Sequence, residues 1–177
     1  GDPTANSTSI REAGGMPDVR TMGDVAASMA YLRSLPYVNG KVGLIGFCSG
    51  GRQTYLGACT LENVDAAVDC WGGGVTKGND ELSPAMPKWP IDFTDGLDCP
   101  LLGLFGDQDG RPSPADVAET EAELKGWMKT DAFRTNPIGV EFDPEKLLER
   151  YLRGDSIEEL IQRAPPDPRR RRRDDAS

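Results

Sequence analysis

The stretch from Lys41 to Arg52 restricts most strongly what this chain can fold into. It opens with a short apolar run and continues into the motif Gly46-Phe47-Cys48-Ser49-Gly50. An apolar run of this length is typical of a strand buried on both faces of a parallel sheet. Glycines two residues before and two residues after Cys48 allow a sharp turn from strand into helix, because larger side chains would collide there. The sequence therefore predicts a strand, a tight turn and a helix, with Cys48 at the turn.

Cys48 stands where the nucleophile elbow G-x-S-x-G has serine. Such a turn exposes the side chain above the carboxyl edge of the sheet, at the N-terminus of the following helix. Free N–H groups and the helix dipole at that end favour a thiolate and an oxyanion. We therefore expect Cys48 to be a nucleophile and the backbone N–H of Ser49 to donate to the oxyanion. The alternative is a structural cysteine in a glycine-rich turn.

Hydrophobic periodicity and turn residues predict an α/β fold around this motif. Three strands are predicted, at residues 42–47, 64–71 and 99–107. Flanking helices are predicted at residues 24–35 and 51–60 and from Ser113 onward. Because strand, helix and strand in succession form a βαβ unit, the sheet should be mostly parallel, with a right-handed crossover. The long polar segment 75–98 is expected to shape a pocket.

Three segments resemble the dienelactone hydrolase family: Met22-Gly23-Asp24, Tyr31-Leu32-Arg33, and the run from Pro36 to Gly51 that contains the cysteine motif. Members of this family have the α/β-hydrolase fold and use a cysteine nucleophile. The resemblance extends over residues 22–129 and is incomplete at both ends. It implies a partial α/β-hydrolase sheet. It also implies hydrolysis of a small lactone or ester through an acyl-thioester on Cys48, with no cofactor.

The resemblance also points to a triad acid. The third predicted strand leads into Gly106-Asp107-Gln108-Asp109, and Asp109 matches the acid of the family's triad. The chain order, nucleophile before acid, is that of α/β-hydrolases. The alternative is that Asp109 caps a turn. Arg52 is a candidate for orienting a substrate carboxylate, with a plain helix-surface charge as an equal alternative.

The base of the triad is missing, because the chain contains no histidine. A Cys–His–Asp triad needs an imidazole that takes the proton from the nucleophile and returns it to the leaving group. In the family, the triad histidine follows the helix that corresponds to the one predicted from Ser113 onward. Residues 130–140 of this chain contain neither a histidine nor another residue that could act as the base. We therefore expect turnover to be slower by orders of magnitude.

Both ends of the chain depart from the family. Residues 1–21 are predicted to be an irregular lead-in without the family's first strands, so we expect low stability or dependence on a partner. Residues 130–164 are a divergent segment with a predicted αα-hairpin, and residues 165–177 a disordered Pro/Arg-rich tail. The alternative function is therefore a non-catalytic fragment or interaction protein that uses this hairpin and the arginines Arg169 to Arg173.

Composition and charge restrict the partners and the compartment that this chain can have. The net charge of −9 argues against a nucleic-acid or membrane surface, and no apolar run has the length of a membrane span. The four cysteines show no CxxC spacing, which favours reduced thiols and a cytoplasmic protein over disulfides or a metal site. The expected partner is a small ester or lactone. The oligomeric state stays open.

Overall fold

A computed structural model describes residues 2–78 and 80–128 of the chain. Its parallel strands lie in the order β1-β2-β3, with bounds Gly43–Phe47, Ala66–Cys70 and Leu101–Leu104. Its α-helices are α1 to α4, with bounds Pro3–Glu12, Asp18–Ser34, Ser49–Thr60 and Pro114–Trp127. A 3-10 helix spans Pro90–Gly96. The predicted α/β class, with its three-stranded parallel sheet and flanking helices, is confirmed.

The register brings the carboxyl ends of the strands to one edge of the sheet. Phe47 of β1 lies beside Cys70 of β2, and Cys70 lies beside Leu104 of β3. The turn that follows β1 and the loop that follows β3 therefore leave the sheet at the same edge, with one strand between them. In α/β sheets this is the edge where binding and catalytic groups collect.

Helix α3 forms the centre of the hydrophobic core. Tyr55, Leu56, Ala58 and Cys59 are buried on this helix. The Tyr55 hydroxyl lies 2.8 Å from Thr94 Oγ1 in the 3-10 helix, so its one polar atom is satisfied inside the core. This packing holds the first turn of α3, directly after Cys48, in a fixed position against the sheet.

The prediction that the first strand is buried on both faces is wrong. Helix α3 covers the face to which Leu44 and Gly46 belong, whereas Ile45 and Phe47 alternate to the other face and are 63% and 56% exposed. Leu102 and Leu104 of β3 are exposed as well. An apolar run indicates that both faces can be buried, but it does not supply the second layer that would bury them.

The N-terminal residues also differ from the prediction. Instead of an irregular lead-in, α1 begins after Asp2, whose Oδ1 accepts a hydrogen bond of 2.9 Å from the Thr4 N–H. Every residue of α1 is exposed, so the helix lacks the apolar periodicity that would have predicted it. Helix α2 begins at Asp18 rather than at the predicted Asp24.

Other boundaries shift by a few residues. Helix α3 begins two residues earlier than predicted, and the strands are shorter. Ser113 caps α4 through the predicted capping box with Asp116. In the part of the chain that the structure describes, no helix is both long and apolar enough to cross a bilayer. The predicted hairpin within residues 130–164 and the tail at 165–177 lie outside the described residues.

Candidate active site

Cys48 adopts the strained backbone of a nucleophile elbow. Its φ of 55° and ψ of −119° lie in a region that non-glycine residues rarely occupy, and it directly precedes α3. The Cys48 N–H donates to the Cys70 carbonyl at 3.0 Å, which ties the turn to the end of β2. The residue is exposed at the carboxyl edge of the sheet. In α/β-hydrolases, a turn with this backbone exposes the side chain at its apex above the sheet.

Close packing explains one of the two glycines in the motif. A Cβ at Gly46 would collide with the Gly50 carbonyl oxygen, so only glycine fits there. A Cβ at Gly50 would meet no atom within 4 Å outside its own helix, so this position has room for alanine and does not require glycine. The second crowded glycine is Gly51, whose added Cβ would collide with Asp69 Oδ1 and lie 2.9 Å from the Gly72 Cα.

Ser49 is the first residue of α3. The first backbone bond of the helix runs from the Arg52 N–H to the Cys48 carbonyl at 3.2 Å. The N–H of Ser49 lies ahead of this bond, among the first four helical N–H groups, which have no partner four residues earlier in the helix. Ser49 directly follows Cys48 in the chain, and its N–H belongs to the positive end of the helix dipole.

Asp109 follows β3 at the same edge of the sheet. Since β2 separates β3 from β1, about 10 Å of sheet lies between the strand that bears Cys48 and the strand that precedes Asp109. Asp109 Oδ1 accepts a hydrogen bond of 3.0 Å from the Arg111 N–H, which is the turn-capping contact of the alternative interpretation. The contact uses one carboxylate oxygen and is compatible with a second role for the group.

Arg52 lies neither on the helix surface nor free beside a substrate site. Its side chain is buried, and Nη1 and Nη2 bind the two carboxylate oxygens of Asp18 at 2.6 and 2.9 Å. Its Nε donates to the Gly74 carbonyl at 3.1 Å. A substrate carboxylate would have to displace Asp18. The structure therefore contradicts the surface-charge interpretation and gives the guanidinium a protein carboxylate as its partner.

The sequence pattern did not indicate two carboxylates that lie near the elbow. Asp18 lies outside every predicted element, and no local pattern links it to an arginine 34 positions later. Asp69 lies within an apolar strand, is 1% exposed, and accepts a hydrogen bond of 2.9 Å from the Gly72 N–H through Oδ1. Burial raises the pKa of Asp69 to about 6, although the Gly72 hydrogen bond opposes this shift.

A shallow pocket lies between the turn after β2 and helix α4. Its lining includes Gly74, Val75, Thr76, Phe105 and Val117, and Cys48 does not line it. Only the first two residues of the segment 75–98 contribute to this pocket. Cys48 is exposed at the sheet edge, outside this pocket.

Comparison with known proteins is consistent with this geometry. The family model described as "Dienelactone hydrolase family" matches residues 4–133, so the match begins ahead of residue 22, where the motifs start. A "Putative carboxymethylenebutenolidase" of Synechocystis sp. is 36% identical over 108 residues, covering 60% of this chain and 42% of the relative. One of Methylorubrum extorquens is 36% identical over 123 residues, covering 69% of this chain and 41% of the relative.

A solved structure shares the fold. It is titled "Crystal Structure of Putative Dienelactone Hydrolase from Klebsiella pneumoniae", and it aligns with a TM-score of 0.55 and 31% identity over 63% of this chain and 45% of that chain. The chain thus spans less than half the length of these relatives. The family model covers well over half of the chain, and the elbow lies within the matched residues. The chain belongs to the dienelactone hydrolase family.

Proposed function

We propose that this chain carries the nucleophile part of a hydrolase site that cleaves a small lactone or ester through Cys48. The observation that carries the proposal is the backbone of Cys48, held at positive φ and exposed at the start of a 12-residue helix. Strain of this kind persists only where the surrounding packing enforces it, and here Gly46 and the Cys70 carbonyl do so. The substrate class is supported by the relatives' name, because a butenolide is a lactone.

The reaction divides into two steps. The Cys48 thiolate attacks the carbonyl carbon, a C–S bond forms, and the Ser49 N–H donates to the oxygen that gains the negative charge. When this intermediate collapses, the acyl C–O bond breaks and the alkoxide oxygen takes up a proton from water. An ester releases this oxygen as an alcohol, whereas a lactone opens and keeps it on the acyl group. Water then attacks the thioester, which releases a carboxylic acid and restores the thiol.

The second step is the slow one. Asp109 is proposed as the triad acid, and the gap between its strand and that of Cys48 can hold a base between them. The chain has no histidine to fill that gap. Without a base to activate water, the acyl-thioester should form and then persist. A chain of this sequence would therefore acylate once and turn over poorly.

Pre-steady-state kinetics with p-nitrophenyl acetate test the proposal. The wild type should release a burst of about one nitrophenolate per chain, followed by a slow steady rate. Cys48→Ala should show no burst. Added imidazole, which can serve as the missing base, should raise the steady rate of the wild type above that of Cys48→Ala in the same buffer. Equal rates in the two proteins at every imidazole concentration would contradict the proposal.

We further propose that the protein works in a reducing compartment such as the cytoplasm. All four cysteines are free, and Cys48 is exposed, so the proposed reaction requires conditions that keep its thiol reduced. Peroxide treatment should abolish the burst, and dithiothreitol should restore it. A burst that survives peroxide treatment would argue against a thiol nucleophile.

A further inference from the structure

Asp69 is a buried carboxyl group that the proposed reaction does not use. It lies on β2, in register with Gly46 on β1 and Gly103 on β3. Its Oδ1 accepts the Gly72 N–H, while Oδ2 is buried and has no hydrogen-bond partner within residues 2–78 and 80–128. An acidic group left half satisfied inside a core is costly, so its presence needs an explanation.

The contacts of Asp69 lead to the elbow. A Cβ added to Gly51 or to Gly72 would collide with Asp69 Oδ1, so the carboxyl group fills the space between the first turn of α3 and the turn after β2. The backbones of these two turns also touch, since a Cβ on Gly72 would lie 2.6 Å from the Arg52 nitrogen. Gly51 is three residues beyond Cys48 in the chain. Asp69 thus sets how closely the first turn of α3 approaches the end of β2.

We propose that Asp69 is a positioning residue of the nucleophile elbow, which sets the orientation of the Cys48 thiol and the Ser49 N–H through Gly72 and Gly51. This role rests on the proposed nucleophilic use of Cys48. An ionised Asp69 makes a charge-assisted hydrogen bond to Gly72, which is about twice as strong as a neutral one. Burial favours the protonated group in the fold as a whole, but protonation weakens this one bond, so the contact between the two turns is tightest when Asp69 is ionised.

Among the groups around it, Asp69 is the one that changes its protonation state near pH 6. Its folded-state pKa of about 6 lies between the ranges of ordinary carboxyl and thiol groups. On α3, Tyr55 interacts electrostatically with Asp69, and burial raises the pKa of Tyr55 above its ordinary value. The Arg52 guanidinium is bound to Asp18 of α2. On β2 itself, the next residue is Cys70, which is buried.

Alkylation of Cys48 by iodoacetamide tests the role without any turnover. Burial raises the pKa of Cys59 and of Cys99 to about 12, and Cys70 is buried, so Cys48→Ala should remove nearly all of the reaction. The rate is divided by the thiolate fraction, which is measured by ultraviolet absorbance at each pH. The corrected rate of the wild type should rise about fivefold between pH 5 and pH 7, as the Gly72 bond gains charge assistance.

Asp69→Asn keeps the shape of the side chain but cannot ionise, and its corrected rate should stay flat over this range. Glu119→Gln, which removes an exposed carboxylate on α4, should keep the wild-type rise. A rise of equal size in Asp69→Asn would overturn the proposal. If Asp69→Asn fails to fold, the wild type alone decides: the amide resonances of Gly72, Gly51 and Ser49 should share one titration midpoint near pH 6. A Ser49 resonance without that midpoint would also overturn it.

These outcomes are separable from the proposed hydrolysis. A chain whose alkylation depends on Asp69 but which gives no nitrophenolate burst would keep the positioning role and refute the hydrolase. A chain that gives the burst but whose corrected alkylation rate does not change with pH would keep the hydrolase proposal and refute the positioning role.

Discussion

Arg52 binds both carboxylate oxygens of Asp18 in the interior, with Nη1–Oδ1 and Nη2–Oδ2 distances of 2.6 and 2.9 Å. The pair joins the first residue of α2 to the first turn of α3 across 34 positions of sequence. Because Arg52 also donates to the Gly74 carbonyl, the same side chain connects three segments around the elbow. A bidentate pair of this kind fixes orientation as well as distance.

Breaking this pair should destabilise the fold strongly. Asp18→Ala leaves a buried guanidinium without its carboxylate, and the free energy of unfolding should fall by about 3–5 kcal/mol. The matched control is Asp24→Ala, which removes the exposed carboxylate paired with Arg20 at 3.9 Å and should change that energy by less than about 0.5 kcal/mol. Urea denaturation measures both. Equal losses would mean that Arg52 finds another partner.

The two glycines of the elbow motif should respond differently to alanine. Gly46→Ala drives a Cβ into the Gly50 carbonyl oxygen, so the turn has to open and the nitrophenolate burst should disappear. Gly50→Ala adds a Cβ in open space on a helix, and it should keep the burst and the fold. Burst amplitude and circular dichroism provide the comparison. Loss of the burst in Gly50→Ala alone would show that the elbow is packed differently.

Asp69 predicts a pH dependence of stability with a definite sign. Its folded-state pKa of about 6 lies above its unfolded value of 3.8, so between these values the folded chain holds more protons than the unfolded chain. The free energy of unfolding should therefore fall as pH rises from about 4 to about 6, by about 2–3 kcal/mol. Urea denaturation of Asp69→Asn should lack this component. A free energy of unfolding that rises between about pH 4 and about pH 6 would contradict the raised pKa of Asp69.

Asp116 acts with the opposite sign at lower pH. Hydrogen bonds from Ser113 hold its pKa below the ordinary value, so its contribution to stability is lost as pH falls through the folded-state pKa. This loss lies below the Asp69 window. Asp116→Asn should therefore lower the free energy of unfolding by a constant amount above this window and remove the acidic slope that Asp116 contributes, so the two variants separate the two carboxyl groups in one titration series.

The two faces of the sheet should differ in their tolerance to truncation. Leu56→Ala truncates a buried side chain of α3, the helix that covers one face of the sheet, and should lower the free energy of unfolding by about 2–5 kcal/mol. Ile45→Ala removes an exposed side chain from the opposite face and should change it by less than about 0.5 kcal/mol. Denaturant titration of the two variants measures the difference. Similar losses would mean that another layer covers the second face.

The local part of this structure was predictable from sequence. A short apolar run, glycines and a following helix define the strand, the elbow and α3 within a few residues, because each depends on neighbours in the chain. The parallel pairing followed from the succession of strand, helix and strand. The capping box at Ser113 is likewise a local pattern. For the same reason, the candidate nucleophile Cys48 was the easiest site residue to propose.

The long-range part was not predictable. The Asp18–Arg52 pair and the contact of Asp69 with Gly51 join residues far apart in sequence, and neither has a local signature. The exposure of Ile45 and Phe47 was missed because residue type shows what a side chain tolerates, and does not show whether a second layer packs on it within the described part of the chain. Helix α1 was missed because its residues are all exposed and carry no apolar period.

The most direct test of the account is to locate the acyl group. After brief reaction with p-nitrophenyl acetate and quenching in acid, tryptic digestion should yield the peptide Val42–Arg52, which contains Cys48 as its one cysteine. Mass spectrometry should show one acetyl group on that peptide, on the sulfur of Cys48 and removable by hydroxylamine. An unmodified Val42–Arg52 peptide, together with a nitrophenolate burst, would contradict Cys48 as the nucleophile.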